Sequence, residues 1–346
     1  MRLLVLVLAL LCGHSISQSP TSSSEGPPTK DLQTTTKPWV TEQSAKETVC
    51  KGTTDNTRNG TSGVKVCGRP SNPATTVQRI LGGRLAEEGS FPWHVLVVAS
   101  GRGRAGGTLI GGGWVLTAAH VFYPKGVRRT ELSHQLNVTR IRTCQAGRST
   151  NLRALLAGKS WEIEMIVVHP GFVEELHDFD NDIALIKLRR NGSEGEEEGA
   201  MPACLPALRG AGGYKEGDLL QPGTVGFVAG WGIEEGFFLR DWLRYITLPL
   251  VRQQHCQQAF QEARIGGLRP PITNNMFCAG LPEGGRDACG GDTGGGFLVP
   301  HQPSGAWYLM GIVSWGTGCA RPGRYGVYTR VSSYLHWIHS VIATHS

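Results

Sequence analysis

The sequence predicts an all-β fold of two packed β units closed by one C-terminal helix, and three observations carry that reading. Beyond Ile80, short runs rich in Val, Ile, Leu and aromatics recur: "WHVLVVAS", "GGWVLTA", "IALIKL", "TVGFVAGW", "LRYITLPLV", "WYLMGIVSW" and "GVYTRV". Gly, Pro, Asn and Asp separate them, which is the pattern of many strands joined by turns. Tyr334, Trp337, Ile338, Val341 and Ile342 then fall at three- and four-residue spacing, one face of a helix. The span 80–346 is long enough for two β units with their own buried cores.

The segments before Ile80 read differently. "MRLLVLVLALLCGHSISQS" joins Arg2 to an apolar run and ends in small residues, so residues 1–17 read as a secretory signal removed near Ser17. That run is too short to span a bilayer, and no later segment approaches the roughly 18 apolar residues a crossing needs. Residues 18–66 are rich in Ser, Thr, Pro, Gly and charge and cannot bury enough surface to offset their ordering entropy, so they read as a flexible stalk. The expected protein is secreted and extracellular, with no membrane partner.

Nine cysteines become eight once Cys12 leaves with the signal. An even number in an oxidising compartment argues for disulfides. No CxxC or HExxH pattern is present, so neither a metal nor any other cofactor is expected. Asn59, Asn137 and Asn191 each open an N-x-[ST] triplet, the acceptor pattern for glycosylation of a secreted chain. Net charge is +6, and no Arg/Lys stripe with interleaved aromatics appears, which argues against a nucleic-acid partner. The run "EGEEEG" from Glu194 to Gly199 reads as a solvated loop.

Three segments carry chemistry: "VLTAAH" ending at His120, "DFDNDIAL" containing Asp182, and "GGDTGGG" containing Thr293. An alcohol is a weak nucleophile at neutral pH, so a neutral imidazole must take its proton during attack on a carbonyl. In the order His, Asp, hydroxyl, the three segments together resemble the chymotrypsin/trypsin family of serine proteases, over the whole of 80–346. The resemblance implies two packed six-stranded antiparallel β-barrels with a C-terminal helix. It also implies His120 as general base, Asp182 as the group that orients it, Thr293 at the nucleophile position, and the N–H groups of Gly291 and Thr293 as an oxyanion hole.

The same resemblance implies the remaining site residues. Asp287 matches the floor of the specificity pocket, with Gly316 and Gly326 on its walls, which implies cleavage after Arg or Lys. Ser314, Trp315 and Gly316 match the edge that pairs with substrate backbone. "QRILGG" matches an activation sequence: cleavage after Arg79 would free the Ile80 ammonium to pair with Asp292, so residues 67–79 form a propeptide strap and an activating protease is implied. Cys256 with Cys278 and Cys289 with Cys319 match family bridges, and Cys67 with Cys204 would tether the strap. Cys50 and Cys144 are left to pair with each other, or Cys50 to join another chain. "VCGRPSNPATTVQRILGG", "SFPW", "HVFYPK", "FDNDIAL" and "RYGVYTRV" are similar to the module junction and protease segments of the complement-initiating proteases and their relative haptoglobin.

One letter departs from the family pattern, because Thr293 stands where GDSGG places serine. Threonine keeps the hydroxyl but adds a β-methyl with few allowed χ1 states. Overpacking a dense site costs about 1–3 kcal/mol, and a misplacement of about 1 Å costs up to about 100-fold in rate. Two readings stay open: an attenuated endopeptidase acting on protein substrates, or a silent homologue that binds a plasma-type protein partner.

Overall fold

The computed structural model describes residues 66–76, 83–98, 104–123, 139–143, 150–157, 160–173, 179–189, 201–208, 212–232, 240–261, 263–264, 269–285, 287–288, 292–318 and 320–345. The leader, the stalk through residue 65, Arg79, Ile80, Gly291, Cys50, Cys144, Cys289, Cys319, Asn59, Asn137 and Asn191 lie outside the described residues.

Strands β1 (Arg84–Leu85), β2 (His94–Val98), β3 (Arg104–Gly111), β4 (Trp114–Thr117), β5 (Arg140–Thr143), β6 (Ile163–Val168) and β7 (Ala184–Leu188) come first in the chain. They are followed by β8 (Val225–Gly230), β9 (Arg244–Pro249), β10 (Met276–Ala279), β11 (Gly296–His301), β12 (Ala306–Trp315) and β13 (Gly326–Arg330). They form two antiparallel sheets, one of six strands in the order β5-β2-β3-β4-β7-β6 and one of seven in the order β1-β9-β8-β11-β12-β13-β10. Each sheet curls until its edges meet. A bridge between Ile141 and Trp161 joins β5 to the approach of β6, and one between Leu250 and Ala279 joins the end of β9 to β10. The expected six strands become seven in the second sheet because Arg84 and Leu85 pair with Tyr245 and Arg244 at its edge.

The strands are rich in Val, Ile and Leu because their inner faces line a packed interior. Val95, Val97, Val115, Ile141, Leu185 and Ile186 are fully buried in the first barrel. Aromatic rings join the two barrels: Trp93 lies 5.9 Å from Trp307, Phe91 lies 5.3 Å from Tyr245, and Phe91 also lies 6.1 Å from Trp307. Offset and edge contacts of this kind suit the aromatic quadrupole, and they hold the two barrels at a fixed angle.

Helices are few and short: α1 (Leu152–Ala157), α2 (Glu216–Leu219), α3 (Gln253–Phe260) and α4 (Leu335–Thr344). The C-terminal helix buries Leu335 and Ile338 and packs Trp337, Val341 and Ile342 against the core. Tyr334, expected on its apolar face, sits one residue earlier as the N-cap and is buried there. Among the described residues no helix is long and apolar enough to cross a membrane.

The strap is stitched to the second barrel. Gly68 donates its N–H to Pro202 and its carbonyl accepts from Trp307, Tyr245 Oη donates to the Thr75 carbonyl at 3.2 Å, and a disulfide joins Cys67 to Cys204. A second disulfide joins Cys256 on α3 to Cys278 on β10.

Candidate active site

His120 lies in a tight 3-10 turn, Ala119–Val121, directly after β4. The turn is fixed from below, because Ala118, Ala119 and Phe122 are buried while the His120 side chain remains 28% exposed. Asp182 sits two residues before β7 and is fully buried. Since β4 and β7 are adjacent in the sheet, with Thr117 opposite Ala184, their neighbouring ends bring the two side chains together.

The Asp182 carboxylate accepts three hydrogen bonds in a small space. Oδ2 lies 2.7 Å from His120 Nδ1, Oδ1 accepts the His120 main-chain N–H at 2.9 Å, and Ser314 Oγ donates to Oδ2 at 2.5 Å. The main-chain carbonyl of Asp182 accepts from Thr329 Oγ1 at 2.8 Å. A buried carboxylate flanked by donors only needs Nδ1 of His120 to carry a proton, which leaves Nε2 as the acceptor. Burial disfavours the His120 cation, but the Asp182 charge and hydrogen bond outweigh it and raise its pKa. Burial likewise pushes Asp182 up, and its His120 and Ser314 partners more than reverse that, holding it below the usual carboxylate range.

Thr293 is half-buried on the loop before β11. Its carbonyl accepts from Gly106 N–H at 2.7 Å, and Gly294 donates to Val313 at 2.8 Å, so the loop is pinned to both barrels. Gly294 has φ +81°, and a β-carbon there would lie 2.3 Å from Thr117 Oγ1 and 2.5 Å from the Gly106 carbonyl, so only glycine lets the loop seat. Among the described residues no hydrogen bond joins Thr293 to His120. The preceding Asp292 turns under the loop, where Oδ1 accepts from Gly232 N–H at 3.0 Å, and a β-carbon on Gly230 would lie 1.9 Å from that oxygen.

Asp287 stands apart from this hydrogen-bonded cluster. Its Oδ2 has a long contact of 3.4 Å with Ala320 N–H, whereas Oδ1 is buried with no partner. Gly326 borders it closely: a β-carbon there would lie 2.7 Å from Oδ1 and 3.2 Å from Tyr328 Oη. Gly316 is exposed and its added β-carbon would meet only the Tyr325 carbonyl, at 3.9 Å. Among the described residues, Tyr328 Oη, Thr317 Oγ1 and Trp315 Nε1 are also buried without a hydrogen-bond partner.

The structure thus brings together His120, Asp182 and Ser314 through hydrogen bonds, and Trp315 joins them through Phe179. The Phe179 ring lies edge-on to His120 at 5.7 Å and stacks on Trp315 at 5.7 Å. Phe179, Thr329 and the hydroxyl of Ser314 had no part in the sequence reading. Ser314 was expected to act through its backbone, and a side-chain role is invisible when the partner lies 132 residues away. Among the described residues no group of three or more His, Cys, Asp or Glu is placed to hold a metal.

A buried His–Asp pair at the seam of two antiparallel barrels, beside a glycine-seated hydroxyl loop, is the architecture of a two-barrel peptidase. Residues 80–338 match the family described as Trypsin, and the chain belongs to that family. It is 36% identical over 274 residues to complement C1r-A subcomponent of Mus musculus, a match covering 79% of this chain and 36% of that protein. It is also 36% identical over 289 residues to haptoglobin-related protein of Pan troglodytes, covering 80% of this chain and 74% of that one. Haptoglobin of Homo sapiens is 35% identical over 289 residues, with 80% and 63% covered.

Proposed function

We propose that the chain is a secreted endopeptidase homologue of trypsin type, directed to Arg or Lys, made as a precursor opened between Arg79 and Ile80, and slowed by Thr293. The observation that carries this reading is the Asp182–His120 pair. A fully buried carboxylate is costly unless its partners repay the desolvation, and here the His120 ring, the His120 main-chain N–H and the Ser314 hydroxyl are all committed to it. A fold kept only for its surface would have no use for that arrangement.

In this mechanism the Thr293 hydroxyl attacks the scissile carbonyl and His120 Nε2 takes its proton. Asp182 keeps the ring in the required tautomer and stabilises the imidazolium. The N–H groups of Gly291 and Thr293 receive the developing oxyanion, and His120 returns the proton to the leaving amine. Water then enters the reverse sequence and frees the acid. Asp287 receives the cationic side chain of the substrate, with its unpartnered oxygen as the acceptor. The Phe179–Trp315 stack gives the preceding substrate residue an apolar wall.

The second reading is a silent binding protein, favoured by Thr293 itself and by the likeness to haptoglobin. The deciding experiment is hydrolysis of Arg- and Lys-ended reporter peptides by protein cleaved after Arg79, alongside Thr293→Ser and Thr293→Ala. The attenuated enzyme exceeds the alanine form, and serine raises its rate by about 100-fold or more, the cost of misplacing a nucleophile by about 1 Å. Equality of the threonine and alanine forms with activity restored by serine establishes the binding protein instead.

A further inference from the structure

The residues flanking Asp182 are held more elaborately than an ordinary turn before a strand. Phe179 to Asp182 belong to the first barrel by sequence, yet each touches the second barrel or the C-terminal segment that follows it. Phe179 stacks on Trp315, and the Asp180 carboxylate accepts from Thr273 Oγ1 at 2.7 Å and Asn275 Nδ2 at 3.2 Å. Asn181 Oδ1 accepts from the Tyr334 hydroxyl at 3.2 Å, and the Asp182 carbonyl accepts from Thr329.

Asn181 is the hinge of this run. Its φ is +59°, one of two described non-glycine residues in the left-handed region, where a β-carbon costs on the order of 1 kcal/mol and asparagine is among the better tolerated residues. Its carboxamide is fixed at both ends. Nδ2 donates to the Gly171 carbonyl, in the turn after β6, at 3.0 Å, while Oδ1 accepts from the Tyr334 hydroxyl at the start of the C-terminal helix. The main-chain carbonyl is also taken, accepting from Ile183 N–H at 2.7 Å, so Asp182 is enclosed between two anchored residues. Burial, then the nearby Asp180 charge, raises the pKa of Tyr334 and keeps it a neutral donor. His169 meets the same ring edge-on at 5.1 Å.

We propose that Asn181 and Tyr334 are positioning residues for the His120–Asp182 pair: the locked carboxamide holds the left-handed turn that aims the Asp182 carboxylate at His120. The C-terminal segment of the chain thereby enters the geometry of a dyad whose members both come from the first barrel. This inference rests on the proposed role of that dyad, so its test is arranged to be independent of turnover.

The test uses the full chain with its native Thr293, comparing the parent with Tyr334→Phe and Asn181→Gly. The glycine variant keeps the left-handed turn and removes only the carboxamide lock. The His120 ring is followed by nitrogen-edited NMR, through its Nδ1–H resonance and its titration. In both variants the Nδ1–H signal moves upfield and broadens, and His120 titrates closer to a free histidine. In a Thr293→Ser background, kcat on reporter peptides falls about 10- to 100-fold with KM little changed. If both variants melt at lower temperature but titrate His120 as the parent does, the lock is structural only and the proposal is overturned. If Thr293→Ser hydrolyses nothing, the proposed function fails, while the NMR titration still decides the positioning role.

Discussion

Asp287 pairs a buried, unpartnered oxygen with a carboxyl that burial pushes up to about 7 from the usual 3.8; the Asp292 charge adds to the rise and the Ala320 and Ala288 N–H groups oppose it. A cationic ligand binds the carboxylate and not the acid. The affinity of a small amidine such as benzamidine is therefore expected to be level above pH 7 and to fall by about tenfold per unit well below it, where one proton is released on binding. Fluorescence displacement across pH 5 to 9 checks this, and Asp287→Asn removes both the binding and its pH dependence. Stability follows the opposite sign. A folded pKa above the unfolded one means that the folded state holds more protons between about 4 and 7. Asp287 therefore makes stability fall as pH rises through that window, and the asparagine variant flattens the fall in melts at pH 5 and 8.

Among the elements, β13 is held to its neighbours through its last residue. Arg330 donates to Glu216 on α2, to Gln253 Oε1 on α3 at 3.2 Å, to the Met276 carbonyl of β10 at 3.0 Å and to the Asn274 carbonyl at 2.9 Å. Ser332 adds a second donor to Glu216. One guanidinium thus joins four segments, and Arg330→Ala strands Glu216, a carboxylate only 30% exposed. The expected loss is about 2–3 kcal/mol, read from the urea midpoint at constant slope. None of this network could be read from sequence, because its members are separated by up to 116 residues and no local pattern links them. The strands themselves were legible, since runs such as "IALIKL" must be buried on at least one face. The helix α3 was not: "QQHCQQAF" buries only Cys256 and Phe260, too few apolar positions to mark a face. His120, Asp182 and Asp287 stood out as residue types within motifs. That Ser314, Thr329, Asn181 and Tyr334 anchor the Asp182 turn could not be read, because such contacts exist only once the second barrel and the C-terminal segment are in place.

At the scale of the whole molecule, the Cys67–Cys204 bridge closes the longer loop of the two described disulfides. It spans 137 residues of sequence and so excludes a large part of the unfolded ensemble. Chain-entropy arguments put such a bridge at about 2–5 kcal/mol. The paired substitution Cys67→Ala with Cys204→Ala is expected to lower stability within that range, measured by chemical unfolding beside the untouched parent. The strap keeps its contacts through Trp307, Pro202 and Tyr245 in that variant, so the folded architecture persists while its margin narrows. The bridge also decides what a cut in the strap would look like from outside. A break anywhere between residues 77 and 82 divides the polypeptide in two, yet both pieces travel as one particle with unchanged hydrodynamic radius and almost unchanged mass. Gel filtration and scattering are blind to the event, and only a reducing agent, a free-amine count or sequencing of the new terminus would tell an opened molecule from an intact one.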